Sequence, residues 1–180
     1  MIREGDIHDV RIVGLEKISD SRGNFTKFAP QPEILSDLTS VAFSTNPILG
    51  TLRGLHFQVE PYAEEKLVTC IQGAIFDVLL DLRMTSPSFG NWKAFELSEE
   101  NSLQVYLPKG IAHGFQTLRA DTIVHYCLTS TYSQKSAFSL SPLGDLGIEW
   151  PIPNPLISQR DLNGISFEDA AQLYSVNLTK

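Results

Sequence analysis

The sequence predicts an all-β fold, a sandwich or a barrel, and three observations support this class. Short apolar segments follow one another at close spacing through the middle of the chain. Clusters of Gly, Pro, Ser and Asn separate these segments, and helical periodicity is scarce. Many short strands divided by turn residues are typical of sandwiches and barrels, and 180 residues suit a single domain.

The predicted strands alternate with turn signals along the chain. The stretch LRGLHFQ at 52–58 has the pattern of a half-buried strand. Further strands are predicted at 66–71, 74–83, 93–98, 103–108 and 122–128, with turns at 71–73, 85–91, 98–101 and 108–110. A closed barrel would leave a pocket at its mouth, which is a common place for a small-molecule site.

The strand at 74–83 is expected to be buried on much of both faces. Five apolar residues share one parity, whereas Asp77 and Asp81 share the other parity with Ile75 and Leu79. This pattern predicts a partly amphipathic strand inside a sheet.

Helix is predicted in two places. Residues 32–38, PEILSDL, have the composition of a short helix. Near the C-terminus, Ser166 is followed three residues later by Asp169, which resembles a capping box that opens a short helix at FEDAAQLY.

The composition favours a cytoplasmic protein without nucleic-acid or membrane partners. Fourteen basic residues against 21 acidic ones give a formal net charge of −7, and Lys and Arg form no cluster. No apolar run approaches the ~20 residues of a membrane span, and the N-terminus lacks the apolar region of a signal peptide. Cys70 and Cys127 lie in apolar segments without CxxC spacing, which indicates buried thiols in a reducing compartment.

Histidines on facing strands of a barrel suggest a metal site as one hypothesis. The chain has four histidines: His8, His56, His113 and His125. A cupin-type metal site usually draws on a His-x-His pair, but Gln58 stands two residues after His56; His56, His113 and Glu60 could still form a facial ligand set. We expect a metal-free site, because an Arg and a Lys in the same pocket would oppose a cation. His8 and His125 are assigned to structural or surface roles.

Eight segments together resemble a known family. They are RGLHFQ (53–58), KLV (66–68), IFDVLLDLR (75–83), SPSFGNW (86–92), LSEEN (97–101), LPKGIAHGF (107–115), GIEWP (147–151) and the late Asp161. Their order and spacing, over roughly residues 15–162, resemble those of the dTDP-4-dehydrorhamnose 3,5-epimerase family. The resemblance implies a cupin-like jelly-roll β-barrel with a short C-terminal helix, and a homodimer. It also implies an isomerase of deoxysugar and polysaccharide biosynthesis that epimerises a nucleotide-linked 4-keto-6-deoxy sugar without metal or organic cofactor.

One domain is expected over the whole chain. Its predicted parts are an N-terminal arm at about 1–45, a barrel at about 46–150 and a C-terminal segment at 151–180.

The implied chemistry assigns four catalytic candidates. Epimerisation next to a ketone needs a base on one face, an acid on the other, and positive charge near the oxygen of the enolate. His56 is the candidate base, because an imidazole is partly neutral near pH 7, and Asp161 would hold its tautomer by a hydrogen bond. By resemblance, Tyr126 is the acid on the opposite face and Lys66 lies near the developing enolate.

The same resemblance implies a set of substrate-binding residues. Arg53 and His113 match pocket residues, and Arg22 matches an arginine that contacts the diphosphate. Gln58 and Lys27 complete the candidate set.

The nucleotide-contact positions depart from the family pattern. Lys27 stands where the family has a glutamate, and Ala42 and Ser44 stand near a usual glutamine and asparagine. Of a tyrosine-rich run after Tyr126, only Tyr132 remains. Either the enzyme takes a different nucleotide or 4-keto sugar, or it keeps dTDP and Lys27 adds a phosphate contact.

Strand geometry makes a further prediction about the segment 52–58. Arg53 and His56 have opposite parity, so a regular strand would send them to opposite faces. If both line the pocket, Gly54 must lie at a bulge or twist.

Three other functions stay open at this point. A 3,4-ketoisomerase would move the carbonyl along the sugar by related enolisation. A non-catalytic sugar- or nucleotide-binding cupin and a metal dioxygenase are the remaining alternatives.

Overall fold

The computed structural model describes residues 3–4, 7–28 and 37–177, and these ranges contain fourteen strands and two helices. The strands are β1 (Arg3–Glu4), β2 (Arg11–Gly14), β3 (Glu16–Asp20), β4 (Gly23–Lys27), β5 (Ser40–Asn46), β6 (Thr51–Gln58), β7 (Lys66–Gln72), β8 (Ala74–Asp81), β9 (Trp92–Ser98), β10 (Leu103–Leu107), β11 (Ile111–Thr117), β12 (Thr122–Leu128), β13 (Ala137–Ser139) and β14 (Leu156–Ile157). The helices are α1 (Gln159–Leu162) and α2 (Phe167–Asn177).

Most of the strands form two sheets that pack face to face. The first sheet has the order β1-β2-β10-β7-β12-β5, and the second has the order β13-β6-β11-β8-β9 with β14 added in parallel to β6. Strands β3 and β4 form a separate hairpin. Consecutive strands such as β7 and β8 lie in different sheets, and the predicted cupin-like jelly roll with a short C-terminal helix is confirmed.

The second sheet is covered on both of its faces. One apolar cluster, which includes Val68, Leu79 and Phe115, fills the space between the two sheets. Another cluster, which includes Leu80 and Tyr174, lies between the second sheet and the C-terminal segment with α2. Burial on both faces explains why β8, with the sequence AIFDVLLD, is largely apolar.

Strand β8 is buried on both faces, as predicted, and its acidic side chains face inward, where apolar side chains are usual. Asp77 and Asp81 share their parity with Ile75 and Leu79, which belong to the core between the sheets, and both carboxylates are fully buried. The acidic parity therefore faces the interior of the barrel. Buried carboxylates require partners, and Asp81 finds one in Arg83, whose Nη2 lies 2.8 Å from Oδ2.

The six predicted strands are all present as β6, β7, β8, β9, β10 and β12, whereas β1 to β5, β11, β13 and β14 were not predicted; β11 is the central one among them. All seven residues of β11 are buried, so its sequence shows no alternation of apolar and polar residues. Its central place between β6 and β8 depends on pairing that the local sequence does not encode.

The helix predictions have separate outcomes. Residues 32–36 of the helix predicted at 32–38 lie outside the described residues, and the described positions 37 and 38 are not helical. The C-terminal helix is confirmed as α2. The Ser166 hydroxyl accepts a hydrogen bond from the Asp169 backbone N–H at 3.1 Å, as in a capping box, and donates one to the Asp169 carboxylate at 2.9 Å.

The two cysteine thiols do not pair with each other. Cys70 is buried and Cys127 is half-buried, and neither forms a disulfide. Burial raises the pKa of the Cys70 thiol to about 12. Among the described residues, no helix has the length and apolar character needed to cross a membrane.

Candidate active site

A cavity of about 290 Å³ opens between the two sheets and collects most of the sequence-predicted site residues. Six of them line it: Arg53, His56, Gln58, Lys66, His113 and Tyr126. Strands β6 and β11 of the second sheet supply one wall, and β5, β7 and β12 of the first sheet supply the other.

His56 is hydrogen-bonded to Asp161 from a distant part of the chain. Nε2 of His56 lies 2.6 Å from Oδ1 of Asp161, across 105 positions in the sequence. The Ser139 hydroxyl donates to the same carboxylate at 2.7 Å, and the backbone N–H of Gly54 donates at 3.3 Å. Asp161 lies in the short helix α1, whose N-cap Ser158 accepts from the Asp161 N–H at 3.1 Å. The carboxylate is therefore held in one position from several directions.

The surroundings of Asp161 keep its carboxylate ionised. Burial alone raises the pKa of this group, but hydrogen bonds from His56, Ser139 and Gly54 and the attraction of the imidazole outweigh burial and lower the pKa from 3.8 to about 2. The ionised carboxylate accepts the hydrogen of Nε2 and thereby fixes the tautomer of the ring. Since Nε2 is engaged, Nδ1 is the ring nitrogen left to exchange a proton with a substrate.

Arg53 and His56 both line the cavity because β6 is irregular between them. The register of β6 against β11 shifts between the positions paired with His113 and Phe115. Gly54 has a φ of +110°, and a Cβ on it would lie 2.6 Å from the Cα of Gly114. The predicted irregularity at Gly54 is confirmed, since a side chain at this position would collide with the neighbouring strand.

A second His–Asp pair joins the cavity wall, which His113 lines, to Asp77 on the neighbouring strand β8. His113 is the direct strand partner of His56 across β6 and β11, and its Nε2 lies 2.7 Å from Oδ1 of Asp77. His113 is 4% exposed and Asp77 is 0% exposed. Sequence reasoning placed His113 in the pocket but missed Asp77. The available signal was an aspartate among inward apolar residues of β8.

Tyr126 lies on the wall opposite His56. Its hydroxyl is 3.5 Å from the Ser44 hydroxyl, and its ring meets the His113 ring edge to face with centroids 6.3 Å apart. Burial raises the pKa of the Tyr126 phenol. The hydroxyl is therefore protonated at neutral pH and can donate a proton into the cavity.

Two cationic side chains in the cavity are held by residues that sequence reasoning missed. Lys66 Nζ lies 3.2 Å from Oε1 of Glu64. Nε of Arg53 donates to Oδ1 of Asn46 at 2.7 Å, and Asn46 is 1% exposed. No local motif distinguishes Glu64 or Asn46, because their partners are set by the fold.

Gln58 lines the cavity, but its amide is occupied by the backbone. Its Nε2 donates to the carbonyls of Tyr62 at 3.0 Å and Thr131 at 3.2 Å, and its Oε1 accepts from the Ser133 N–H at 2.8 Å. These bonds fix the segment that follows β12.

Arg22 and Lys27 do not line the cavity. Both lie on the β3–β4 hairpin, where Arg22 pairs with Asp20 at 2.6 Å and Lys27 lies 3.6 Å from Glu16. The described residues of one chain do not bring this hairpin to the cavity wall.

The remaining metal and histidine candidates lie apart from the cavity wall. Glu60 pairs with Lys109 at 3.1 Å, and His125 stacks on Phe28 with ring centroids 4.7 Å apart. Within residues 7–28 and 37–177, no three or more His, Cys, Asp or Glu side chains are grouped so that they could hold a metal ion.

Comparison with known proteins relates this chain to a group of enzymes. The family model described as dTDP-4-dehydrorhamnose 3,5-epimerase matches residues 4–169. A dTDP-4-dehydrorhamnose 3,5-epimerase from Sinorhizobium fredii is 39% identical over 164 residues, which cover 86% of this chain and 83% of the relative.

Two solved structures share the fold over almost the whole chain. A dTDP-6-deoxy-D-glucose-3,5-epimerase from Legionella pneumophila, in complex with dTDP-4-keto-L-rhamnose, superposes with a TM-score of 0.89 at 32% identity and covers 97% of this chain and 96% of its own. A 3′-monoepimerase from Streptomyces bikiniensis, in complex with dTDP-quinovose, has a TM-score of 0.85 at 30% identity and covers 93% of this chain and 88% of its own.

Proposed function

Because the chain belongs to the dTDP-4-dehydrorhamnose 3,5-epimerase family, we propose that it epimerises a dTDP-linked 4-keto-6-deoxy sugar at C3, C5 or both. The observation that carries the proposal is the placement of His56, backed by Asp161, and Tyr126 on opposite walls of one cavity. An epimerase must remove a proton from one face of a carbon and return one to the other face. Side chains from two facing sheets meet this requirement.

The proposed reaction begins with proton abstraction by His56. Nδ1 of the ring takes the proton from the carbon next to the ketone, and the electron pair of the broken C–H bond moves onto the keto oxygen. Asp161 stabilises the imidazolium that forms, as a carboxylate does in hydrolase triads. Lys66 stabilises the negative charge on the enolate oxygen.

Tyr126 completes the reaction from the other wall. Its phenol donates a proton to the opposite face of the same carbon, the enolate returns to the ketone, and the configuration is inverted. The Tyr126 phenolate then takes a proton from solvent, and the His56 imidazolium releases its proton to solvent. No redox change and no external reactant are needed.

The proposed substrate carries dTDP, as it does in the Legionella complex. Arg53 and His113 would contact this substrate from the second sheet. The changed rim positions Ala42 and Ser44 line the same cavity, and their side chains are smaller than the glutamine and asparagine that the family usually has near these positions. A 3,5-epimerase and a 3′-monoepimerase both share this fold. The proposal therefore includes epimerisation at two carbons and at one.

A homodimer is part of the proposal. Strand β5 ends the first sheet, and its outward Val41 and Phe43 are 59% and 68% exposed. An exposed apolar edge strand is a common site of association with a second chain. In a dimer, Arg22 and Lys27 could reach a substrate bound in the cavity of the second copy, since they do not line the cavity of their own chain.

The function is tested by replacing the proposed base. His56→Ala should lower the rate at least about a hundredfold, the usual contribution of a positioned general base. The assay follows deuterium uptake from solvent and the product stereochemistry, with 4-keto-6-deoxyglucose offered as its dTDP, UDP and GDP conjugates. His8→Ala, at an exposed histidine outside the cavity, is the control. Full exchange in the His56→Ala variant would contradict the proposal, and a product with its carbonyl at C3 would indicate the ketoisomerase.

A further inference from the structure

Glu64 is a carboxylate in a cavity that otherwise gathers cationic and neutral groups. Among the described residues that line the cavity, it is the one with an acidic side chain. The side chain of Glu64 is 11% exposed and that of Lys66 is 10% exposed. A carboxylate largely removed from water requires a compensating partner, and Oε1 finds it in the Lys66 ammonium at 3.2 Å.

Hydrogen bonds anchor the backbone next to Glu64 and hold the Glu64–Lys66 contact in place. The N–H of Glu65 donates to the Thr129 hydroxyl at 2.8 Å, and the N–H of Thr129 donates to the Glu65 carbonyl at 3.2 Å. These bonds tie the residues before β7 to the end of β12. Glu64 and Lys66 are two positions apart and line the same cavity, where Lys66 begins the strand.

We propose that Glu64 is a positioning residue that holds the Lys66 ammonium toward the keto oxygen of the substrate; this inference rests on the proposed function. A lysine has a flexible stem and three N–H donors. One donor engaged by Glu64 fixes the direction of the other two. Without Glu64, the ammonium is free to turn toward the diphosphate, which is the strongest anion of the substrate.

The charge of Glu64 also opposes a binding mode in which the diphosphate of the substrate contacts Lys66. Cationic and titratable groups from the other elements line the same cavity as Lys66: Arg53 and His56 on β6, His113 on β11, Tyr126 on β12 and Arg160 on α1. The guanidinium groups of Arg53 and Arg160 attract an anionic diphosphate, whereas a carboxylate beside Lys66 repels it. Lys66 is thereby reserved for the sugar end of the substrate.

The first test separates positioning from binding by steady-state kinetics. Glu64→Gln should lower kcat about tenfold or more, because a small misplacement of a catalytic group is costly, while KM is unchanged or lower. Glu65→Gln is the matched control: it removes the same charge one residue away, where the side chain interacts with Tyr106 and does not line the cavity. A raised KM with unchanged kcat would mean that Glu64 binds substrate directly, and would overturn the inference.

A double-mutant cycle tests whether Glu64 acts through Lys66. In a Lys66→Ala background, Glu64→Gln should cause no further loss of kcat, because residues that act as a unit are non-additive. The same fold-loss in both backgrounds would contradict the proposal. If Glu64→Gln does not fold, as judged by thermal melting, Glu64→Asp keeps the charge and should give an intermediate kcat.

A third measurement does not depend on activity. Acylation of Lys66 by a lysine-reactive ester, read by peptide mass spectrometry, should rise several-fold in Glu64→Gln and stay unchanged in Glu65→Gln. Unchanged labelling would disprove the Glu64–Lys66 contact even in an active enzyme. A wild-type protein that neither exchanges nor epimerises a dTDP-4-keto sugar would instead disprove the proposed function, whatever the labelling shows.

Discussion

At the scale of single residues, the two His–Asp pairs of the barrel differ in how their carboxylates are satisfied. Asp161 receives hydrogen bonds from His56, Ser139 and the Gly54 backbone. Asp77 receives one from His113, and its other oxygen is buried without a hydrogen-bond partner among the described residues. The His56–Asp161 pair, whose carboxylate accepts more hydrogen bonds, also has the more accessible imidazole: the side chain of His56 is 40% exposed. This difference favours His56 over His113 as the base.

The lowered pKa of Asp161 predicts a pH dependence of stability. The folded pKa of about 2 lies below the ordinary 3.8, so the ionised group stabilises the fold above about pH 4, and this stabilisation is lost as the pH falls toward 2. Asp161→Asn should therefore cost about 2 kcal/mol of unfolding free energy at neutral pH. The difference from wild type should shrink between about pH 4 and pH 2.

Urea unfolding at a series of pH values measures this difference. Asp145→Asn, at an exposed position, is the control for a carboxyl lost from the surface. A wild-type advantage over Asp161→Asn that does not change between neutral pH and pH 3 would show that the carboxylate is not held in its charged form by the fold.

Tyr126 carries a prediction about the order of proton transfers. Tyr126→Phe removes the proposed acid and leaves the proposed base in place. The variant should lose epimerisation by about a hundredfold and retain much more of its solvent deuterium exchange at the same carbon. Mass spectrometry of recovered substrate, combined with product analysis, measures both rates. Equal loss of the two would indicate that Tyr126 does not return the proton.

At the scale of elements, strand β6 serves the site because it is not a regular strand. The register shift beside Gly54 lets Arg53 and His56 point into one cavity although they have opposite parity. The close approach of Gly54 and Gly114 lets β6 and β11 keep their contact through the irregularity. Glycine is needed here for both its φ and its missing side chain.

Replacing this glycine should therefore damage both the fold and the site. In Gly54→Ala, the new Cβ would lie 2.6 Å from Gly114 Cα and 2.7 Å from the His113 carbonyl. We expect a loss of about 3 kcal/mol or more in stability, from backbone strain and overpacking together.

A second glycine separates strain from collision. Gly147 also has a positive φ of +67°, but a Cβ there meets nothing within 4 Å. Gly147→Ala should thus cost only about 1 kcal/mol. Thermal and urea unfolding of both variants give the comparison, and similar losses in the two would contradict the role given to the Gly54–Gly114 approach.

At the scale of the whole molecule, the jelly roll divides the proposed chemistry between two sheets. His56 and His113 come from the second sheet, whereas Lys66 and Tyr126 come from the first. The core between the sheets holds the two walls at a fixed distance. Proton removal and proton return on opposite faces of one carbon follow from this arrangement.

The proposed homodimer is a prediction about the exposed edge of the first sheet. Phe43→Asp places a charge in the middle of the β5 edge, and it should shift the protein from twice the chain mass of 20.0 kDa toward the monomer. Light scattering after gel filtration measures this mass. Leu143→Asp, at a residue 48% exposed elsewhere on the surface, is the control. A wild-type protein that is monomeric would contradict the proposal.

The local sequence determined six of the fourteen described strands, the C-terminal helix that begins after Ser166 and the irregularity at Gly54. These features depend on short-range patterns: alternation, turn residues, a Ser and an Asp three positions apart, and a parity conflict between Arg53 and His56. The motifs that resemble the family also identified His56 and Asp161 as partners. Chemistry carried by a residue type and its spacing can be recognised without coordinates.

The tertiary structure alone decided which side chains meet. Asp77 faces the interior because β8 is covered on both sides, and its pairing with His113 depends on the register of β8 and β11. Asn46 reaches Arg53, and Glu64 reaches Lys66, through contacts that no motif predicts. The physical reason is that burial and hydrogen bonding between strands are set by the packing of the two sheets, and this information is spread over the whole chain.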